Sequence, residues 1–396
     1  MGATLLADAA VNVRNLGAIF LALSLGASPL WLGLIYAAFA SGFAVCSLLF
    51  GGLSDRWGRK RSALTGLAVS FASVVALFYC HQPGQIALAS LIFGASMALI
   101  WPSMEAWVCD LSGGDSARLN RLLGNFNLSW SSGLALGALL GGVLWQALAG
   151  HTFLAVLGLL VLVMALLSRV PEGRHLCPPP EQAPPGADPD PTGRFLLSAR
   201  LTNFLGWFTT AVVLTILPKL AQELGIAPGP TGVAVGAYYA ALWLLMWLGR
   251  GTDRWQYRIW PLVVPAPLVM IGAALLASAH SWPAFAGAAF VAGTCCGVSS
   301  VTSLFYALNG RHQGRAASAA VHETIVASAG IVGGLVTGAV ADALAGPLGL
   351  QGGLRGSLLV ILAVAVLLGL TQIVTWRVLG RRTPALAPAP AKQPAP

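Results

Sequence analysis

The chain has 396 residues, of which 57% are hydrophobic and only 9% charged. A soluble protein of this size carries about a quarter charged residues, so an integral membrane protein is the class that fits. The net charge of +9 does not point to nucleic acid, because the basic residues sit in short loops between apolar runs rather than on one polar domain.

A helix needs about 20 apolar residues to cross the bilayer. Twelve such runs are predicted, near 3–24, 30–52, 62–80, 85–108, 122–148, 152–169, 196–218, 231–250, 259–279, 284–308, 316–341 and 356–378. The first carries Asp8, Asn12 and Asn15 at i, i+4 and i+7, on one helical face. Arg14 lies about 120° round from Asp8 on the same helix. Asp8 stands either near mid-membrane, as a functional acid, or close enough to Met1 to reach the surface. Arg14 is too deep for that escape and requires a counter-charge or an anionic ligand. The leading stretch has no basic leader and contains Asp8 and Arg14, so it is expected to be a span and not a cleavable signal.

Between the second and third runs lies Gly51-Gly52-Leu53-Ser54-Asp55-Arg56-Trp57-Gly58-Arg59-Lys60-Arg61. A hinge this charged cannot lie in hydrocarbon, and its basic residues place it on the cytoplasmic side. The fourth run ends Trp101-Pro102-Ser103-Met104-Glu105-Ala106-Trp107, a proline bend followed by an acid. Glu105 can face a cavity or, five residues before Asp110, the headgroups. The fifth carries Asn125, Asn127, Ser129 and Trp130, then Gly133, Gly137, Gly141 and Gly142, small residues at a spacing that lets helices approach closely.

The longest interruption, Pro171 to Arg194, is proline-rich and polar, a linker that divides the runs six and six. The halves repeat. Leu25-Gly26-Ala27-Ser28-Pro29 is matched by Leu224-Gly225-Ile226-Ala227-Pro228, and the charged hinge returns as Gly249-Arg250-Gly251-Thr252-Asp253-Arg254-Trp255. In the eleventh run Gly330, Gly334 and Gly338 repeat the spacing of the fifth, and His322-Glu323 replace Asn125-Phe126. A carboxyl group and an imidazole there can exchange protons, or can form a structural pair at loop 10–11, or Glu323 can partner Arg14. The tail from Pro384 is of low complexity.

With the N-terminus cytoplasmic, 19 of the 22 basic residues fall on the inner side, which fixes the expected orientation with both termini inside. The cores of runs 3, 6, 9 and 12 hold no ionisable group, as lipid contact demands. The six cysteines have neither metal nor disulfide spacing and are expected to pack as small hydrophobes.

The pattern Gly51, Asp55, Arg56, Gly58, Lys60, Arg61, with its second-half echo Asp253 and Arg254, resembles the loop 2–3 signature of the major facilitator superfamily of transporters. That resemblance covers nearly the whole chain. It implies an all-α integral membrane fold of twelve helices in two pseudo-symmetric six-helix bundles, 1–170 and 195–380, joined by the linker 171–194 and followed by a tail 381–396. It also implies a central cavity lined by spans 1, 4, 7 and 10, and a latch in which Asp55 meets the start of span 11 in the outward-facing state. The chain departs from the family in two places: span 4 has no arginine, and Ala138 stands where the antiporter signature has proline.

The function expected is secondary active transport of a small organic solute, proton-coupled and in the export direction, by a monomer in the inner (plasma) membrane. The expected proton-coupling and cavity residues are Asp8, Asn12, Arg14, Asn15, Glu105, Asn127, Trp130, His322 and Glu323. Two alternatives stay open: uptake of an anionic solute with Arg14 as ligand, and, in another class, a lipid flippase or a non-transporting sensor or scaffold on the same fold. No Walker loop is present, so ATP is not the direct drive, and no enzyme, metal, cofactor or nucleic-acid role is expected.

Overall fold

The computed structural model describes residues 1–50, 53–113, 116–172, 193–250, 252, 254–309 and 315–380. The linker from 173 to 192, the tail from 381, Gly51 and Asp253 lie outside the described residues. The described residues form helices and turns: α1 Gly2–Ser24, α2 Pro29–Phe50, α3 Leu53–Trp57, α4 Arg59–Leu77, α5 Pro83–Leu111, α6 Ser116–Leu148, α7 Thr152–Arg169, α8 Arg194–Glu223, α9 Pro228–Arg250, α10 Trp260–Val263, α11 Pro265–Ser278, α12 Trp282–Asn309, α13 Arg315–Leu358 and α14 Val360–Gly380.

Ten helical stretches among the described residues are long and apolar enough to cross a membrane. Two of them, Arg121–Arg169 with 49 residues and Val321–Leu379 with 59, far exceed the ~20 residues of one crossing. The first breaks at Ala149–His151, and the second at Gly349, whose φ of 72° is open to glycine at no steric cost. Dividing both at these turns gives the expected twelve. Span 9 is stepped rather than continuous, since α10 and α11 meet at Val264 before Pro265, which donates no backbone hydrogen bond. A further correction concerns the cysteines: Cys46, Cys80, Cys295 and Cys296 are free, but Cys109 is disulfide-bonded.

Burial distinguishes the helices. The most apolar windows of α1 and α8 are each 83% buried, which puts these two helices at the centre. On α14, Val366, Leu367, Leu370, Ile373 and Val374 are exposed, the composition of a lipid-facing surface. Each half is assembled on glycine contacts. Gly94 of α5 packs on the Phe39 carbonyl of α2, and Gly293 of α12 packs on the Tyr238 carbonyl of α9, the same contact 199 residues later.

The halves meet along α2 with α13 and α6 with α9. Gly33 and Gly334 face each other so closely that a Cβ on Gly33 would run into the Gly334 carbonyl. Gly338 sits against Pro29 and Leu30, Gly330 against Tyr36 and Ala40, and Gly142 against Pro228 and Gly232. Asp342 of α13 completes this seal. Its Oδ2 accepts from Ser28 Oγ at 2.8 Å and from the Leu30 N–H at 3.3 Å, so a carboxylate of one half caps the α2 N-terminus of the other. Gln146 Oε1 accepts from the Gly229 N–H at 2.9 Å in the same way across α6 and α9. All these contacts lie at the end of the bundle whose loops are poor in charge. Beyond Ala40, α2 presents Val45, Leu48 and Leu49 exposed.

Helices in lipid gain little from hydrophobic association, so this seal depends on backbone proximity. Gly334→Leu is therefore expected to hold the seal apart and raise the labelling rate of a cysteine placed at Ser28 several-fold over the Gly334 parent. An unchanged rate would show that the close approach does not control closure.

Candidate functional site

Span 1 places its polar face against α6 and the interior. Gly133 lies under Asp8 and Gly137 under Asn12; a Cβ at either would come within 2.7 Å and 2.9 Å of the Cβ above it. Asn12 Nδ2 donates to the Leu134 carbonyl at 2.7 Å. Asp8 is buried, and its Oδ2 has no hydrogen-bond partner. Tyr239 of α9 lies within electrostatic range of both Asp8 and Asn12, so the acid of the first half faces a phenol of the second. Asp8 is thus turned into the protein, at 6% exposure.

Arg14 is 1% exposed and makes no ion pair among the described residues. Its Nη1 donates to Asn15 Oδ1 at 3.3 Å, and its Cζ stands 4.6 Å from the centroid of the Phe93 ring. The alternative in which Glu323 partners Arg14 is not realised. Asn127 serves Trp130, whose Nε1 donates to Asn127 Oδ1 at 3.1 Å within α6.

Glu323 instead lies within electrostatic range of Glu105, bringing carboxylates of α13 and α5, one from each half, into the same region. The Glu105 side chain is exposed and that of Glu323 half-buried. Asp110, five residues on from Glu105, is buried and meets Arg59 Nε at 3.3 Å. His322 is buried beside α12, its Nδ1 3.0 Å from Ser303 Oγ.

Span 7 supplies residues that the sequence reading missed. Arg200 of α8 lies within electrostatic range of His322, and its Nε and Nη2 have no partner. Asn203, fully buried, has neither Oδ1 nor Nδ2 satisfied, and Trp207 Nε1 is also unpartnered. Positions 200, 203 and 207 fall on one helical face. Arg200 had counted only as one more inner-side basic residue. The signal available was the spacing Arg-x-x-Asn-x-x-x-Trp in a run otherwise apolar.

The charged hinge is a fastened structure. Arg59 Nη1 donates to Ser54 Oγ at 2.8 Å and pairs with Asp55, while the Lys60 N–H donates to Glu172 Oε1 at 3.0 Å and Lys60 Nζ to the Ser168 carbonyl at 2.8 Å. Gly58 adopts φ 95°, a region that disfavours any other residue. Arg56 and Arg61 are exposed. Asp55 is 65% exposed, and its partner here is Arg59; residues 310–314, before α13, lie outside the described residues, as does Asp253, while Arg254 is exposed.

Comparison with known proteins agrees with this geometry. The family model for the Major Facilitator Superfamily matches residues 1–334. The quinolone resistance protein NorA of Staphylococcus aureus strain MSSA476 is 24% identical over 240 residues, 55% of this chain and 57% of that protein. The chain therefore matches little more than half the length of that relative. Among solved structures, a bacterial homologue of the human lysosomal transporter Spinster, in an inward-facing and occupied conformation, covers 98% of both chains at TM-score 0.75 and 14% identity. The nucleoside transporter NupG covers 95% of this chain and 99% of its own at TM-score 0.71 and 11% identity. These two likenesses show the fold.

An unsatisfied buried amide costs about 1–3 kcal/mol, which a structural residue has no reason to carry. Asn203→Leu is accordingly expected to raise the melting temperature of the purified protein by a few degrees and to reduce substrate binding at least about tenfold. A variant that melts lower, or binds normally, would show Asn203 to be a packing residue.

Proposed function

The chain belongs to the major facilitator superfamily, and from that premise we propose that it exports a small organic solute in exchange for protons by alternating access. The observation that supports the coupling is the placement of Glu105 and Glu323, from opposite halves, within electrostatic reach of each other, the first exposed and the second half-buried. Two carboxylates facing each other repel when both are charged. A proton or a cationic group of the solute on either one removes that repulsion and lets the halves approach. The same site would then respond to proton and substrate in turn, which is what exchange requires.

Arg200, Asn203 and Trp207 offer donors on the second half, and Asp8 and Glu105 offer acceptors on the first. A solute carrying both an amine and a hydrogen-bond acceptor suits that arrangement. The export direction is supported by the similarity to NorA, whose name records quinolone resistance. The basic hinges support an orientation with the linker and both termini in the cytoplasm and the glycine seal on the outer side. This orientation predicts that a cysteine at Ala187 reacts with impermeant reagents from the cytoplasmic face; reaction from the outer face alone would reverse it.

For coupling, Glu323→Gln and Asp8→Asn are assayed separately in proteoliposomes, with and without a pH gradient. Glu323→Gln is expected to abolish gradient-driven accumulation while sparing substrate exchange. If both variants still concentrate substrate, neither carboxylate carries the proton.

A further inference from the structure

Arg14 stands apart from the donors and acceptors of the proposed solute site. Its guanidinium is almost wholly buried, and among the described residues it meets a neutral amide oxygen and the face of a phenyl ring, with the Cys80 thiol within electrostatic range. Asp8, six positions earlier on the helix, does not pair with it. A cation-π contact returns about 2 kcal/mol, well short of the cost of taking a guanidinium out of water. The charge therefore lacks compensation from the described residues.

The unpartnered atoms are Nε and Nη2. They share one edge of the guanidinium plane, the edge that grips an oxyanion through two parallel N–H bonds. Arg14 lines a void of about 10 Å³, whose other walls include Asn15, Tyr36, Ile35, Phe39 and Leu214. That is room for one occupant the size of a water molecule. A water there would accept hydrogen bonds but leave the net charge in place. An anion of that size, or a single carboxylate oxygen, does both.

We propose that Arg14 holds a small monoanion in this void, either free chloride or the carboxylate of the transported solute. The chloride source is independent of the solute site described above; the carboxylate source rests on the transport reading. The position gives the anion a second consequence. Tyr36 borders the void and also packs against Gly330 of α13, and Leu214 belongs to α8, so both halves meet the occupant's surroundings just beneath the seal. An occupied void would support the closed outer end, and an empty one would weaken it.

The test is binding, read without transport. Melting of the purified full-length protein is followed while chloride replaces methanesulfonate at constant ionic strength, and in a second series while acetate replaces it. A saturable rise in melting temperature with chloride, lost in Arg14→Gln, assigns the site to chloride. A rise with acetate only, lost in the same variant, assigns it to a carboxylate. No saturable rise with either anion, or an equal rise in Arg14→Gln, overturns the proposal. Should Arg14→Gln fail to fold, Arg14→Lys keeps the charge but removes the two-nitrogen edge, and is expected to weaken the apparent affinity about tenfold. Unaltered affinity in Arg14→Lys would overturn the site as drawn. Because melting reports occupancy directly, failure here leaves proton-coupled transport untouched, and failure of coupling leaves this site untouched.

Discussion

Gly33 of α2 and Gly334 of α13 bring two backbones from different halves to carbonyl contact, and the arrangement of the molecule around its interior depends on that approach. In hydrocarbon there is no hydrophobic gain in burying one apolar helix against another; what remains is dispersion, backbone proximity and hydrogen bonding. Side chains larger than hydrogen at Gly33, Gly142, Gly334 or Gly338 would force the halves apart. The glycines by themselves would give a contact with little to fix its register along the helix. Asp342 supplies that register, since its carboxylate can cap only the α2 N-terminus opposite it. A seal of this kind is firm but reversible: it consists of van der Waals contact and a few hydrogen bonds that water can replace at the membrane surface.

The interior is unlike the rest of the protein in how its polar atoms are treated. Outside the two central helices most buried polar groups among the described residues are satisfied, with Ser47 Oγ and Thr152 Oγ1 among the exceptions. On α14, Gln372 Nε2 donates to the Ser198 carbonyl at 3.1 Å and to Thr202 Oγ1 at 2.8 Å, and Trp376 Nε1 donates to Ser198 Oγ at 2.8 Å. The unsatisfied side-chain atoms on α1 and α8 are those of Asp8, Arg14, Arg200, Asn203 and Trp207. Asp8 and Trp207 are also equivalent positions of the repeat, 199 residues apart. Buried polar atoms without partners are costly, and their concentration on the two central helices is what a site awaiting a ligand requires.

Most of the fold was legible because the membrane leaves so few options. Apolar runs of the right length must be helices, basic loops must lie on one side, and the repeat of Leu25–Pro29 at Leu224–Pro228 fixes two equivalent halves. The legibility stopped at partners. Glycine spacing aligns Gly133 with Gly330, yet Gly133 packs on α1 as Gly333 packs on α8, each within its own half, while Gly330 packs on α2 of the other. Spacing announces that a helix will be approached closely, but not by which neighbour. Glu105 and Glu323 are each visible as acids in apolar runs, whereas their mutual proximity arises from packing between halves. Arg200 was hidden by a rule that is otherwise sound, since the same charge that signals the inner side also lies within electrostatic range of His322.

The helix α13 joins the two regions on which function depends. Near its start stand His322 and Glu323, facing Ser303, Arg200 and Glu105; further along stand Gly330, Gly334, Gly338 and Asp342, forming one side of the seal. At 1.5 Å per residue, Glu323 and Asp342 are about 28 Å apart along one continuous helical segment. A helix of that length is stiff, so a shift at the acid is carried to the far end and not absorbed between them. The only non-helical backbone recorded inside α13 is at Gly349, beyond Asp342, which leaves the whole lever on the near side of the turn. On the exchange proposed above, removing the repulsion between Glu105 and Glu323 would draw the start of α13 toward α5. About a fulcrum set by the packing of Gly333 on Phe208 and Ala211, the same rotation would lift Asp342 from Ser28. On that reading charge at one end and glycine contact at the other act on a single helix, and the two ends are not drawn toward the first half at once.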